Sequence, residues 1–205
     1  MTIVSCLITT ISLSQELKPF ENNGKYGFKN GLGEIVILAT FDSTLGFDYA
    51  NKIAMVKRNE KWGGINTSGE EIIEFKFEGA LGRALPIWEG GDQRISKTYL
   101  TSVICTKMNG KWGFIDISGK EVVPFKYDDF NNAYSSCPFL LVSLNGKQGI
   151  IDYEGKDVYP FEIDSVIESG DGKGKDYKEL EYYKVVISGK KKKIILNKKT
   201  RQFVK

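Results

Sequence analysis

Residues 109 to 128, NGKWGFIDISGKEVVPFKYD, are the clearest copy of a repeated motif from which the fold can be predicted. The chain repeats it as NGKYGFKNGLGEIVILATFD (23 to 42), NEKWGGINTSGEEIIEFKFE (59 to 78) and NGKQGIIDYEGKDVYPFEID (145 to 164). A degraded fifth copy, SGKKKKIILNKKTRQFVK, covers 188 to 205. The basic period is 36 residues, and two steps are lengthened, around Pro86 to Tyr99 and around Glu168 to Glu181. Self-similarity at a fixed period predicts a repeat architecture, with the polar, glycine-bearing insertions as surface loops.

Each copy contains the signals of a β-hairpin. Asn23-Gly24, Asn109-Gly110 and Asn145-Gly146 favour a type I′ turn, which requires positive φ at both central residues. Apolar residues alternate with polar ones on both sides of the turn, and no stretch has a helical period. The sequence therefore predicts an all-β protein of about five tandem hairpin units, each with two or three short strands. An open twisted β-array is favoured over a small closed propeller-like ring, because a degraded last copy is typical of an end cap.

Two motif positions invite a functional interpretation. The aromatic position is exposed for ligand binding in one interpretation and packs against the neighbouring unit in the favoured one. The glycine after it is expected to allow a ring or a backbone to approach closely. The structural repeat residues are therefore predicted to be Tyr26, Gly27, Trp62, Gly63, Trp112, Gly113 and Gly149, with Gln148 at the aromatic position of the fourth copy.

An acidic residue ends each of the first four copies: Asp42, Glu78, Asp128 and Asp164. A catalytic pair needs two carboxylates facing each other in one pocket, whereas this residue recurs in every unit. A turn-capping role is therefore predicted for it.

These residues resemble the WG-repeat family, also called KWG repeats. The resemblance rests on Lys61-Trp62-Gly63, on Lys111 to Asp116 with Gly119-Lys120 following, and on Val122-Val123-Pro124 with Tyr127-Asp128. It covers about Leu17 to Asp164 well and the last forty residues poorly. The family consists of bacterial, often secreted or surface proteins, so the resemblance implies a β-repeat fold without catalytic residues.

The longer insertion is the best candidate for a binding element, since function is often carried by loops on a rigid scaffold. Trp88, Arg94 and Tyr99 are its candidate binding residues. We expect a non-enzymatic scaffold that binds a protein or a glycan. Two alternatives remain open: a glycan hydrolase using Asp/Glu pairs, and a structural or assembly protein.

The sequence argues against several kinds of chemistry. There is no histidine, which removes Ser-His-Asp and Cys-His nucleophilic sites and the commonest metal ligand. Three cysteines without a CxxC pair do not suggest a zinc site, so neither a metal nor a cofactor is predicted. Of these cysteines, Cys105 and Cys137 are expected as two buried free thiols, although a disulfide stays open.

Charge is modest overall but uneven along the chain. The net charge is +3, so no nucleic-acid partner is predicted from composition. Positive charge is concentrated near the end of the sequence, at Lys190 to Lys193, Lys198, Lys199, Arg201 and Lys205. These residues are interpreted as protection of an edge strand, and contact with phosphates or an acidic membrane surface is the alternative.

The first fourteen residues, MTIVSCLITTISLS, are apolar and uncharged. They predict a secretory signal peptide that lacks a basic n-region, and a buried N-terminal strand is the alternative. Residues 15 to 205 are then a single β domain, secreted, periplasmic or at the cell surface, with cytoplasmic location as the alternative. The apolar stretch is too short for an integral membrane segment.

Overall fold

The computed structural model describes residues 16–48, 52–86, 102–131, 139–152, 154–171 and 180–204, and every regular element in these ranges is a β-strand. The prediction of an all-β repeat protein is confirmed. The predicted leader at 1 to 14 lies outside the described residues.

The strands form five antiparallel sheets, numbered here in chain order. The first sheet contains β1 (Lys18–Asn22), β2 (Lys25–Lys29) and β3 (Ile35–Phe41). The second contains β4 (Ser43–Asp48), β5 (Ile53–Arg58), β6 (Lys61–Asn66) and β7 (Glu71–Phe77). The third contains β8 (Gly79–Pro86), β9 (Ser102–Met108), β10 (Lys111–Asp116) and β11 (Glu121–Tyr127). The fourth contains β12 (Asp129–Phe130), β13 (Phe139–Leu144), β14 (Lys147–Asp152) and β15 (Asp157–Ile163). The fifth contains β16 (Ser165–Asp171), β17 (Leu180–Ile187), β18 (Lys190–Asn197) and β19 (Gln202–Val204).

The hairpin turns have the predicted backbone conformation. Asn109 and Gly110 have φ of 51° and 73°, and the imperfect turn Asn59-Glu60 has 51° and 64°. Positive φ at both central residues suits the right-handed twist of the flanking strands. The central hairpin of each sheet is thus fixed by local sequence.

The number of strands in each unit was predicted wrongly. Four of the five sheets have four strands, not two or three, because a further strand follows each closing acid. In the second sheet this strand is β4, which contains Gly46 at φ 77° and a register shift against β5. Such an interrupted strand has no clear alternation, and alternation is what the sequence prediction depends on. Each of the first four motif copies quoted above therefore covers only the last two strands of one sheet and ends at the residue before the next sheet.

The shorter insertion is also only partly a loop. Glu168 to Asp171 continue β16, and Leu180 and Glu181 begin β17, so the ladder extends into residues that were expected to be irregular. Polar strand residues such as these lack the apolar alternation that identifies a half-buried strand.

The sheets pack face to face in chain order. Four buried clusters each combine residues of two consecutive sheets: Phe28 and Ile37 with Val56, Ile73 and Phe77 with Ile104, Phe114 and Val123 with Leu140, and Ile150 and Ile163 with Tyr183. Among the described residues, no cluster joins the first sheet to the fifth. Five sheets closed into a ring would need five such interfaces, so the four clusters correspond to an open array.

The outer face of the first sheet is polar where interior faces are apolar. Ala54 and Ile65 of the second sheet pack against the first, and the 36-residue period places Lys18 and Lys29 at the same positions of the first sheet. The Lys29 ammonium lies 4.4 Å from the centre of the Phe20 ring, so a cation covers an aromatic side chain that no other sheet of the described residues faces.

The outer face of the fifth sheet follows the same pattern. Leu141 and Ile150 of the fourth sheet face the fifth, and Lys184 and Lys193 take their places in the last unit. The Lys193 ammonium lies 4.9 Å from the centre of the Tyr182 ring. Polar outer faces are what terminal units of a repeat array require.

The lysine-rich run lies in β18. β19 pairs only with Ile195 to Asn197, so the exposed residues Lys190 to Lys193 occupy the half of β18 that β19 does not cover. This position is consistent with the predicted protection of an edge.

Candidate functional site

The motif glycines lie where two strands are closest. Trp112 pairs with Tyr127 and Phe114 with Val123, so three residues of β11 lie opposite Gly113 alone. A Cβ atom on Gly113 would lie 2.8 Å from the Val123 carbonyl oxygen and 2.8 Å from the Phe125 ring. Each of the other motif glycines faces the equivalent bulge of its own sheet. A Cβ atom added there would lie 2.4 Å from the nearest heavy atom at Gly27, 2.8 Å at Gly63 and 2.8 Å at Gly149. Only glycine fits beside a bulge this close.

A phenylalanine lies in three of these bulges and reaches the preceding sheet. Ring centroids are 6.4 Å apart for Phe41 and Phe75, 5.9 Å for Phe77 and Phe125, and 6.1 Å for Tyr127 and Phe161. Each pair joins the last strand of one sheet to the last strand of the next, at a distance typical of offset stacking. Sequence reasoning missed these contacts, although a phenylalanine stands twelve residues after three of the motif glycines.

The motif tryptophans are partly buried at the sheet interfaces. Trp62 packs against the cluster between the second and third sheets, and Trp112 against the cluster between the third and fourth. Tyr26 and Gln148 have intermediate burial at the equivalent positions. These contacts are what the packing interpretation requires.

The closing acids join two sheets. The Asp128 carboxylate accepts hydrogen bonds from the Lys111 ammonium and, at 2.6 Å, from the Asn145 backbone N–H in the hairpin turn of the next sheet. Glu78 accepts from the backbone N–H groups of Asn109 and Gly110, at 3.1 and 2.9 Å. A turn-capping contact is therefore present, but the turn belongs to the following unit.

The same arrangement recurs at two further junctions. Lys25 binds Asp42, and Lys147 binds Asp164, whose other oxygen accepts from the Gly189 N–H at 3.3 Å. The hydrogen bond from each lysine, together with backbone N–H groups, lowers the pKa of Asp42, Asp128 and Asp164. A general acid at neutral pH needs a raised pKa, so the chemistry of these carboxylates is that of fixed anions.

Differences in unit length are concentrated at one type of connection. The first and second strands of successive sheets are separated by residues 49–52, 87–101, 131–138 and 172–179. By contrast, the second and third strands of the second to fifth sheets are joined by two residues, as are the first and second strands of the three-stranded first sheet, and one residue separates consecutive sheets. Because equivalent strands stack in register, these variable connections begin and end on the same side of the array.

The candidate binding residues Trp88, Arg94 and Tyr99 belong to the longest of these connections, and they lie outside the described residues. Pro86, expected in the insertion, is the last residue of β8. Ser102 begins β9, so the described strands fix both points where the insertion is attached.

Other chemical groups are few in the described part of the chain. No three Asp, Glu, Cys or His residues there are close enough to hold a metal ion. Cys105 is a buried free thiol whose pKa burial raises, while Cys137 lies outside the described residues. Within the same ranges, no helix has the length and apolar character needed to cross a bilayer.

Comparison with known proteins gives one family. The model described as WG containing repeat matches residues 26–62, 62–82 and 112–147. A solved structure described as a crystal structure of the eukaryotic initiation factor aligns with 93% of this chain and 62% of its own length, at 11% identity and a TM-score of 0.40. The chain thus spans less than two thirds of that protein, and so distant a likeness says nothing about activity. None of the curated proteins matches the chain.

Proposed function

This chain is a WG-repeat protein, and we propose that it is a non-enzymatic, exported scaffold that binds a protein or glycan through the connections between the first and second strands of its second to fifth sheets. The supporting observation is that length varies at these connections, while hairpin turns and junctions stay constant. Insertions are tolerated on the surface of a scaffold, and in repeat proteins they often form the binding side.

Residues 87–101 are the principal binding element in this proposal. They form the longest of the four connections and contain Trp88, Arg94 and Tyr99. Aromatic residues and arginine are enriched where proteins bind partners, since they provide large contact area and several hydrogen bonds. Aromatic rings also suit the faces of sugar rings.

The connection between β4 and β5 supplies a short replacement for the test. In the test variant, Tyr49-Ala50-Asn51-Lys52 replaces residues 87–101, and in the matched control it replaces residues 172–179. Both variants and the parent are applied to an immobilised glycan panel, and their thermal unfolding is compared. We expect binding to be lost in the test variant alone, with similar melting temperatures for all three proteins.

Two results would contradict the proposal. One is binding that survives replacement of 87–101, and the other is equal loss in the control. Trp88→Ala and Tyr99→Ala then refine the assignment, since each removes one ring and leaves the loop length unchanged.

The hydrolase alternative has a separate test. Its chemistry needs one carboxylic acid with a raised pKa beside a second carboxylate, whereas the pKa values of Asp42, Asp128 and Asp164 are lowered. We expect no release of reducing sugar from the polysaccharides that the protein binds, and sustained release would favour the hydrolase.

A further inference from the structure

The sequence contains four asparagine–glycine pairs, and three of them form hairpin turns. The turn pairs are Asn23-Gly24, Asn109-Gly110 and Asn145-Gly146, and each is exposed and followed by a lysine. Their φ values are nearly identical, at 51°, 51° and 53° for the asparagines and 75°, 73° and 75° for the glycines. Because the reacting residues and the backbone match, a difference in their chemistry must come from what surrounds each turn.

An asparagine followed by glycine is open to a spontaneous reaction of its side chain. The glycine backbone nitrogen attacks the side-chain carbonyl carbon, a new C–N bond forms, and the bond to the side-chain nitrogen breaks. Ammonia leaves with the proton of the glycine N–H. Water then opens the five-membered imide at either carbonyl and gives aspartate or isoaspartate. Glycine favours the first step because no side chain obstructs its nitrogen.

A closed hairpin turn hinders this reaction. Ring closure needs the glycine nitrogen and the asparagine side chain on the same side of the Cα–C bond, whereas the left-handed backbone of a type I′ turn directs them apart. The turn must therefore open locally before the asparagine reacts, and the rate follows the free energy of that opening. Contacts that hold the turn closed protect the asparagine.

Such contacts are present at the two turns inside the array. Glu78 accepts hydrogen bonds from the N–H groups of Asn109 and Gly110, at 3.1 and 2.9 Å, so the attacking nitrogen is itself engaged. Asp128 accepts a hydrogen bond from the N–H of Asn145 at 2.6 Å. Hydrogen bonds to a carboxylate are stronger than those to a neutral group, and the negative charge also opposes removal of a proton from the glycine nitrogen.

The turn of the first unit differs from these two. In the described part of the chain, no closing acid precedes the first sheet, and no carboxylate there bonds the N–H of Asn23 or Gly24. The hairpin itself is thinly covered, because β1 pairs only with β2 and four of its five residues are exposed. This turn therefore opens at the lowest cost of the three.

We propose that Asn23 is a site of spontaneous deamidation in the folded protein, and that the closing acids Glu78 and Asp128 protect Asn109 and Asn145 from the same reaction. Isoaspartate adds a methylene group to the main chain, which a two-residue turn accommodates only by changing its conformation. The change loosens β1 and leaves the junctions between sheets intact. The modification is thus confined to one end of the array.

The fourth pair, Asn30-Gly31, distinguishes an open turn from an unfolded sheet. Asn30 follows β2 in the same sheet as Asn23 and is buried. Its side chain donates a hydrogen bond to Glu34 at 2.6 Å and accepts one from each of the Leu32 and Glu34 N–H groups at 3.0 Å. Three hydrogen bonds fix its amide, so Asn30 stays unmodified as long as the first sheet is folded.

Peptide mapping of the full chain, incubated at neutral pH for increasing times, tests the proposal. Mass spectrometry that distinguishes asparagine, aspartate and isoaspartate follows all four sites in one sample. We expect Asn23 to react at least about tenfold faster than Asn109 and Asn145, and Asn30 to stay unmodified. In denaturant, where the turns are lost, the three Asn-Gly-Lys sites should react at similar rates.

A variant of one closing acid tests whether the carboxylate protects the turn. Glu78→Ala removes both acceptors at Asn109 and is expected to raise the rate there about tenfold, with Asn145 unchanged. The matched control is Glu74→Ala, which removes an exposed carboxylate of β7 that bonds Lys76 and not a turn. Asn109 should stay protected in this control.

Three results would overturn the proposal. One is an equal rate at the three turns of the folded parent. Another is deamidation of Asn30 together with Asn23, which would indicate unfolding of the whole first sheet. The third is an unchanged or slower reaction of Asn109 in Glu78→Ala. If that variant does not fold, the comparison of the four sites within the parent decides the outcome.

Discussion

Aromatic side chains are covered differently at the junctions between sheets and at the two outer faces of the array. Inside, Phe77 of the second sheet is fully buried and its ring lies 5.9 Å from that of Phe125 in the third. At the first outer face, no sheet in the described part of the chain faces Phe20, and the Lys29 ammonium lies over its ring. An aromatic residue therefore stabilises a junction when a sheet covers it, and it is tolerated at an end when a cation shields it.

Removing one aromatic side chain from each environment tests this difference most strongly. Phe77→Ala should destabilise the protein by about 3 to 5 kcal/mol, because it leaves a cavity between two sheets. Phe20→Ala should cost about 1 kcal/mol or less, as for most partly exposed sites. Denaturant unfolding of both variants gives the comparison, and equal losses would show that the outer face is packed like an interior junction.

A smaller effect is expected where the glycine faces the bulge. Gly113→Ala places a methyl group against the Val123 carbonyl and the Phe125 ring, and should cost about 1 to 3 kcal/mol. Gly31→Ala is the control, because a Cβ atom there meets nothing within 4 Å and its φ is not positive. Thermal unfolding should separate the two variants clearly. Similar melting temperatures would mean that the bulge accommodates the added methyl group without a loss of stability.

The smallest effect concerns the acids at the junctions. The hydrogen bond from Lys111, followed by that from the Asn145 N–H, holds the pKa of Asp128 below its ordinary value. The stability that this carboxylate contributes is therefore present above its unfolded pKa and is lost as pH falls through the lowered folded pKa.

Asp128→Asn should lower the melting temperature slightly at neutral pH and make its decline in acid less steep. Glu121→Gln changes one charge in the same sheet but away from the junction, and should leave the decline of the melting temperature in acid unchanged. Melting curves from neutral to acidic pH measure both variants. If the melting temperatures of the two variants decline identically in acid, the junction carboxylate is not a source of the pH dependence.

Local sequence was sufficient for the hairpins and insufficient for the strands that connect them. Asn109-Gly110 requires one turn type wherever it occurs, and the imperfect Asn59-Glu60 adopts the same backbone because its flanking strands pair identically. β4 was missed because Gly46 interrupts it, and its pairing with β5 is a tertiary contact. The acids were correctly associated with turns, but their partner turn lies in another unit, which spacing alone does not reveal.

The candidate site was predictable to a lesser degree. Broken periodicity identified the insertion, and the described strands add that other changes in unit length occur at equivalent connections. The sequence alone does not reveal that Ile35 and Leu38 lie at a sheet edge, because only the strand order β1-β2-β3 places them there.

The position of the junction acids has a consequence for how such a chain grows. Asp42 and Glu78 enclose one complete sheet, residues 43–77, and Glu78 already binds the turn of the sheet that follows. A gene duplication cut immediately after one acid and ending with the next would add a whole sheet together with its lysine, its turn and its own connector. The added sheet would make the same junction contacts with the sheet before it and the sheet after it. One mutational event could therefore lengthen the array and keep the hydrogen bonds at every junction.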